Sequence, residues 1–447
     1  MTTLPLASGR DVPEVKTPHP HEPWPPKATD RELGRLAEQR NLDLAIRGND
    51  GPIVELEQLF RQRFTPSMRH SIAFNSGTSA LLAAYMALQV GEGDEVIAPV
   101  LTYHAAVSPA TALGAVVRFA DIDLQTRGMD PDHLEELIGP RTKAIVIVHH
   151  WGHAADMTRI MNIADRHGVA VIEDCSHAHG SAFEGTPVGS FGKVAVFSLQ
   201  ANKAVFAGEG GVLATDDQEV ADRAILAGHY RDRALRDVAA ADLHAYWESG
   251  FGFKLRMSPF NAIVGIESLR AFDELAGGRQ AALSYMNDRL AETGLLDPLD
   301  VPNAEWMGAW YGFKPLPSHS VRTRVERSTL VRMLQDEGVE VDAPSGRMLV
   351  RLPLFAGRTP WRRPGDNSTR RPTEDEIAST FPVAHLVESN ALSLPTFYRW
   401  PHDRFVIDEY LRAFSKVALA IESGRIPNDE PRADRASLPR DGQSHGR

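Results

Sequence analysis

One cysteine, Cys175, is all that 447 residues contain, so no intrachain disulfide can brace the fold. Positive charge is also short: 48 Lys and Arg stand against 59 Asp and Glu, a formal charge of -11. That balance repels a polyanion, which argues against a nucleic-acid partner and for a small-molecule ligand. No apolar run approaches the ~20 residues a membrane-spanning helix requires. The start of the chain lacks the charged segment and apolar core of a signal peptide, so a cytoplasmic protein free of the membrane is expected. Internal repeats are missing. "GEGG" at 208–211 lacks the strand–GxGxxG–helix setting of a dinucleotide site, so a dehydrogenase would rest on the sheet alone.

What is there, 43% hydrophobic and 24% charged residues, suits one large domain and a smaller one. Residues 1–28, with "VKTPHPHEPWPPKA", are proline-rich and aperiodic and read as an extended arm. "DRELGRLAEQRNLDLAI" and "PIVELEQLFRQRF" have helical spacing. From about residue 70, strand-like runs ("HSIAFN", "DEVIAP", "AVVRFADI", "KAIVIVHH", "VAVIEDC") alternate with amphipathic stretches such as "TSALLAAYMALQV" and "DMTRIMNIADRHG". This alternation predicts an α/β fold with a mostly parallel sheet covered on both faces. "VAVFSL" and "EGGVLATD" follow each other with no helix between them, which adds a hairpin or an antiparallel member. A long helix over 257–290 leads from the large domain, 29–275, into a small one, 276–423. There "ERSTLVRMLQDEG" and "VEVDAPS" suggest a helix followed by a strand. Residues 424–447 have almost nothing apolar to bury and are expected to be disordered.

The hairpin carries Lys203, in "FSLQANKAVFAGEGGVLAT", among few other charges. An isolated lysine before a glycine-rich turn is usually a solvated surface residue; a partly desolvated one has a depressed pKa and attacks carbonyls. Schiff-base chemistry on an aldehyde cofactor is the reaction class this suggests. Such a cofactor, with a pyridine ring and a phosphate, makes three more demands. "NSGTSALLAAYMAL" offers a helix start at Ser76, Gly77 and Thr78 for phosphate, or simple N-capping. "VAVIEDCSHAHG" ends a strand on Asp174, which suits a pyridinium nitrogen at the carboxyl edge of the sheet, or caps the next turn. Tyr103 in "APVLTYHAAVSPA" follows another strand end and packs either on the ring or in the core.

In their order and separations, "NSGTSAL", "VIEDCSHAHG", "FSLQANKAVFAGEGG" and "GFKLRMSPFNAIVGIESL" resemble the DegT/DnrJ/EryC1/StrS family of sugar aminotransferases that depend on pyridoxal 5'-phosphate (PLP), over roughly residues 40 to 423. The resemblance implies a fold-type-I transferase: a mostly parallel seven-stranded sheet flanked by helices, with a smaller C-terminal α/β domain. It also implies a homodimer with sites near the subunit interface. It makes Lys203 the Schiff-base lysine, Asp174 the partner of the pyridine nitrogen, His177 a residue against the cofactor ring and Tyr103 a stacking aromatic. Gly77, Thr78 and Ser198 match phosphate-binding positions. In "GFKLRMS" the chain departs from the commonest pattern, with Lys254 where many members have an asparagine that reaches the phosphate in the neighbouring subunit.

The expected activity is transfer of an amino group from glutamate or glutamine to a ketone of a polyhydroxylated ring. "GHAADM", "EDCSHAHG", "GAWYGFKPL" and "RLPLF" look like the members acting on cyclitol ketones; a nucleotide-linked keto sugar is the other acceptor class. Two alternatives are a dehydratase of the same family, whose members replace the lysine with histidine, and a PLP-binding regulator without turnover. The clusters "HHWGH" and "CSHAH", holding His149, His150, His153, Cys175, His177 and His179, lack a helical His-to-His pair and are expected to be hydrogen-bonded strand-end residues, with no metal. The arginines of the loop 357–371 read as a solvated face, with Arg362 or Arg363 as anion contacts in a minority view.

Overall fold

A computed structural model of the chain describes residues 12–17, 24–47, 50–303, 305–355 and 372–427. Arg362, Arg363 and the tail from 428 onward lie outside the described residues.

Runs rich in Val, Ile and Ala form β1 (His70–Phe74), β2 (Glu95–Pro99), β3 (Val116–Ala120), β4 (Thr142–Val148) and β5 (Ala170–Asp174). A small hairpin, β6 (Ala182–Phe183) and β7 (Thr186–Pro187), stands apart, followed by β8 (Val194–Ser198) and β9 (Gly211–Thr215). Seven of these build one sheet in the order β1-β9-β8-β5-β4-β2-β3. Its β2–β3, β2–β4, β4–β5 and β5–β8 pairs are parallel, and β9 alone runs against its neighbours β8 and β1. The alternation of strand and helix in the sequence therefore produces the expected mostly parallel sheet, and "VAVFSL" with "EGGVLATD" produces the expected hairpin.

The strands are apolar on both sides because both faces are covered. In β4, Ala144, Val146 and Val148 join the core on one side, while Ile145 and Ile147 join the core on the other. Helices end where their sequences dictate. Ser76 caps the helix Gly77–Ala87 by accepting the Ser79 N–H at 3.0 Å. Asp156 caps Met157–His167 through the Arg159 N–H, and Gly168 closes that helix in the left-handed conformation. The two early helices span Asp30–Gln39 and Gly51–Phe64. A long helix, Pro259–Leu290, carries the chain away from the sheet. Among the described residues no helix is long and apolar enough to cross a membrane.

Beyond residue 215 the structure differs from expectation at "VEVDAPS". The helix Arg327–Asp336 forms, but the strand after it reduces to a single bridge, Asp342 to Ser393. Val339 and Val341 are drawn into the core, and Pro344 has no N–H with which to continue a ladder.

One buried acid braces the sheet edge beneath the site. Glu173, fully buried in β5, accepts backbone N–H bonds from Gly189 (2.7 Å), Phe191 (2.8 Å) and Gly192 (2.6 Å). Glu173→Ala leaves those donors unpaired and is expected to destabilise the fold by about 3 kcal/mol or more. A urea midpoint within error of wild type would remove that role.

Candidate active site

Every parallel strand delivers its last residue to one edge of the sheet, where loops of open α/β folds form their clefts. Ser76 to Thr78 follow β1, Tyr103 follows β2, His150 follows β4, Asp174 ends β5 and Ser198 ends β8. Together they line a cavity of about 940 Å³, within the size range of small-molecule sites.

Lys203 lies on the connection from β8 to β9, tied down by its N–H to Gln200 O at 2.8 Å and by the rung from Ala201 N to Gly208 O. Its amine enters the cavity. Burial pulls its pKa down to about 8, with the nearby Asp174 carboxylate pulling the other way. The nearest hydroxyl is that of Tyr311, 3.3 Å from Nζ, whose ring centroid is 4.4 Å away.

Asp174 is buried at the end of β5, beside β8 in the sheet. One carboxylate oxygen accepts the Ser176 N–H at 3.0 Å. Burial raises its pKa against the pull of that bond, Lys203 and His149. An acid in this position gains from a cation close by.

His177 accepts the Trp151 N–H on Nδ1 at 3.3 Å, and burial, with Lys203 nearby, holds its pKa well below the usual histidine value. A neutral ring with Nδ1 accepting carries its proton on Nε2. Tyr311 stacks on it, centroids 4.1 Å apart and 11° from parallel. Tyr103 stands at the rim, 62% exposed, with its ring against His104.

The opposite wall is the start of the helix Gly77–Ala87. Gly77 presses against Ser198: a Cβ there would sit 2.8 Å from the Ser198 Cβ, which is why this turn has no side chain. Ser76, capping Ser79, leaves the amides of Gly77 and Thr78 without a bond among the described residues. A helix start with open N–H groups is an anion site. Lys254 is not part of this assembly: it is exposed and outside the cavity wall.

Sequence reasoning missed four contributors. Tyr311 and Lys314 come from the segment after residue 305, Arg279 from the long helix and Trp24 from the N-terminal arm. "GAWYGFKPL" held the signal for the first two, an aromatic and a cation in an otherwise apolar run. Lys314 donates to the Ser393 hydroxyl, and burial lowers its pKa to about 8.

The histidine clusters need one correction. His149 is satisfied: Nδ1 accepts the Ala155 N–H at 3.1 Å, and Nε2 meets Glu173 at 3.2 Å. Beside them Cys175 brings the three within a metal's reach, but Glu173 is saturated by backbone amides, and burial pushes the Cys175 thiol up, away from the thiolate. His179 is not the satisfied polar residue expected. Both ring nitrogens lack partners among the described residues, because the ring packs as an aromatic between Phe60, Phe64 and Phe197. His150 and His153 each leave Nδ1 unbonded. Burial lowers the pKa of all three to about 3, so they are neutral.

The wall therefore offers a nucleophilic amine, a buried acid, neutral rings and an anion-binding helix start. That set fits an aldehyde cofactor bearing a basic ring nitrogen and a phosphate. Comparison with known proteins points the same way. The model of the DegT/DnrJ/EryC1/StrS aminotransferase family matches residues 31–397. The chain is similar to the L-glutamine:2-deoxy-scyllo-inosose aminotransferase of Streptomyces kanamyceticus, 39% identical over 301 residues, 65% of this chain and 70% of that one. With the L-glutamine:scyllo-inosose aminotransferase of Streptomyces griseus it shares 32% identity over 424 residues, 88% of this chain and 94% of the relative. Among solved structures, an aminotransferase from Psychrobacter cryohalolentis superposes with a TM-score of 0.76 at 26% identity, covering 90% of this chain and all of that one, 100%.

Proposed function

Because the chain belongs to the DegT/DnrJ/EryC1/StrS aminotransferase family, we propose that it moves an amino group from glutamine or glutamate onto the ring ketone of a cyclitol, using PLP, in aminocyclitol biosynthesis. The observation that carries this is the convergence of Lys203 and Asp174, from one hairpin and its adjacent strand, on a single cavity.

When bound, PLP supplies an electrophilic carbonyl and a ring that accepts the electron pair left when the donor α-carbon loses its proton. Lys203 would hold the cofactor and would carry a proton on Nζ to and from the donor's α-carbon. Its pKa of about 8 suits that task. At pH 7 about a tenth of such amines are neutral, against about one in three thousand for an ordinary lysine. The Tyr311 hydroxyl steadies Nζ. Asp174 would keep a proton on the ring nitrogen, and the neutral His177 would lie against the cofactor ring. Gly77, Thr78 and Ser198 would take the phosphate, and Tyr103 would cover the ring from the rim.

The protein acts as a homodimer in this reading. Exposed Lys254 would reach the second copy's phosphate, and its sequence neighbour Phe253 is exposed as well. The large domain ends and the small one begins within the long helix, near residue 275, and the enzyme works in the cytoplasm.

Half-reaction spectra test the proposal. The purified holoenzyme is expected to be yellow, to bleach with L-glutamine or L-glutamate, and to recover its colour with a keto-cyclitol. Recovery only with nucleotide-linked keto sugars would move the acceptor to that class, and colour that no donor bleaches would favour a binding protein without turnover. The rate of PLP attachment to the apoprotein is expected to rise with pH to half its maximum near pH 8, because only the neutral Lys203 amine attacks.

A further inference from the structure

Among the described residues Arg279 is a buried cation without an anion. It lies on the long helix, 3% exposed, in the wall of the Lys203 cavity. A guanidinium has five N–H donors. Arg279 uses one hydrogen bond, from Nη1 to Ala309 O at 3.3 Å, and its Nε has no partner among the described residues. It forms no ion pair there either. Burial lowers its pKa only to about 10, so it keeps its charge at neutral pH. Leaving a buried charge unpaired is costly, and such a group is retained where something else completes it.

The fold goes out of its way to hold this side chain. Gly277 and Gly278 precede it inside a helix, where glycine is unfavourable. At Gly278 a Cβ would collide with the Tyr398 carbonyl, so the glycine lets the helix close onto that segment and brings the next residue to the cavity. Trp24 of the N-terminal arm lies across the guanidinium, 4.1 Å from ring centroid to Cζ, a cation–π contact. The same indole donates its Nε1–H to Lys203 O at 3.1 Å. Phe206 and Tyr398 meet it edge-on, at 5.7 and 5.3 Å. One side chain thus touches both the residue that bears the reactive amine and the unpaired cation.

We propose that Arg279 binds the α-carboxylate of the amino donor, and that Trp24 is the positioning residue that holds the guanidinium in the wall of the Lys203 cavity. The assignment rests on the transaminase reading above. An α-amino acid carries its amine and its carboxylate on one carbon, so a donor whose amine arrives at Lys203 presents its carboxylate next to it. The other anions are accounted for: the cofactor phosphate matches the helix start at Gly77, and a cyclitol has none. Lys314, which is also buried in the cavity wall, already donates to Ser393 and faces Asp342. A planar fork is also the better match for a carboxylate.

The test separates the two half-reactions in Arg279→Gln, Arg279→Lys and Trp24→Ala holoenzymes. In Arg279→Gln the half-saturating L-glutamine concentration is expected to rise about 10- to 150-fold, the cost of losing charged hydrogen bonds. The concentration dependence of the acceptor half-reaction stays at the wild-type value. Arg279→Lys falls between, and Trp24→Ala shifts the donor in the same direction. Calorimetry with α-methyl-L-glutamate, which has no α-proton to lose, is expected to show the same weakening without any turnover. Unchanged donor affinity, equal weakening of both halves, or weakening confined to the acceptor would each overturn the assignment. Failure of any amino donor to bleach the wild type would instead bring down the transaminase reading; calorimetry of the analogue would still decide the role of Arg279.

Discussion

Lys203→Ala is expected to lower turnover by about four orders of magnitude, the upper range for removing a positioned proton carrier, here compounded by loss of the covalent anchor. The protein should still fold. Lys203 contributes one side-chain bond, to Tyr311, and Asp174, deprived of that cation, keeps its Ser176 N–H bond and can take up a proton. Borohydride treatment of the wild-type holoenzyme followed by peptide mapping is expected to leave a pyridoxyl group on Lys203, and the variant none. Methylamine added to Lys203→Ala should restore part of the rate, because it supplies the lost proton carrier without the tether. A label on Lys314, the other cavity amine with a pKa near 8, would show that the wrong lysine has been chosen.

Asp174→Asn is expected to bind PLP almost normally and to lose about a thousandfold in kcat, the scale of removing one preorganised electrostatic contact. The amide fills the same space and can keep the Ser176 N–H bond, so the fold and cavity survive. What is lost is the charge proposed to hold a proton on the ring nitrogen. The neighbouring acid cannot substitute. Glu173 points its oxygens at three backbone amides and His149. Near-normal turnover in Asp174→Asn, measured under donor saturation, would assign the ring nitrogen to another group.

The residues legible in the sequence are those whose function coincides with a local event. Asp174 and Ser198 end strands, Gly77 opens a helix, and Lys203 lies on the connection between two paired strands, so pattern and position announce them together. Tyr311, Arg279 and Trp24 carry no such mark. Each reaches the cavity by tertiary packing: Trp24 from a stretch, 24–29, that forms no helix or strand, and Arg279 from the interior of a helix whose apolar pattern is all that the sequence displays. His179 departs from its expected polar setting for the same reason. Its sequence neighbours suggest a polar strand end, while its spatial neighbours are three phenylalanines. The parallel sheet was legible because burial on both faces writes itself into continuous apolar runs. The short pairings after residue 290 were not, because one-rung bridges such as Phe313 to Leu394 leave no periodic trace.

The reversed course of β9 sets a timetable for the nascent chain. β1, finished by residue 74, has β9 as its strand neighbour and must wait for residues 211–215 to leave the ribosome before its backbone finds a ladder. Only then do Phe74 and Ser198 both register on Gly211, bringing Gly77 against Ser198. The corner where Gly77 meets Ser198 thus cannot form until nearly half of the 447 residues have been made, and a stall before that point leaves β1 as an unpaired edge for chaperones to guard.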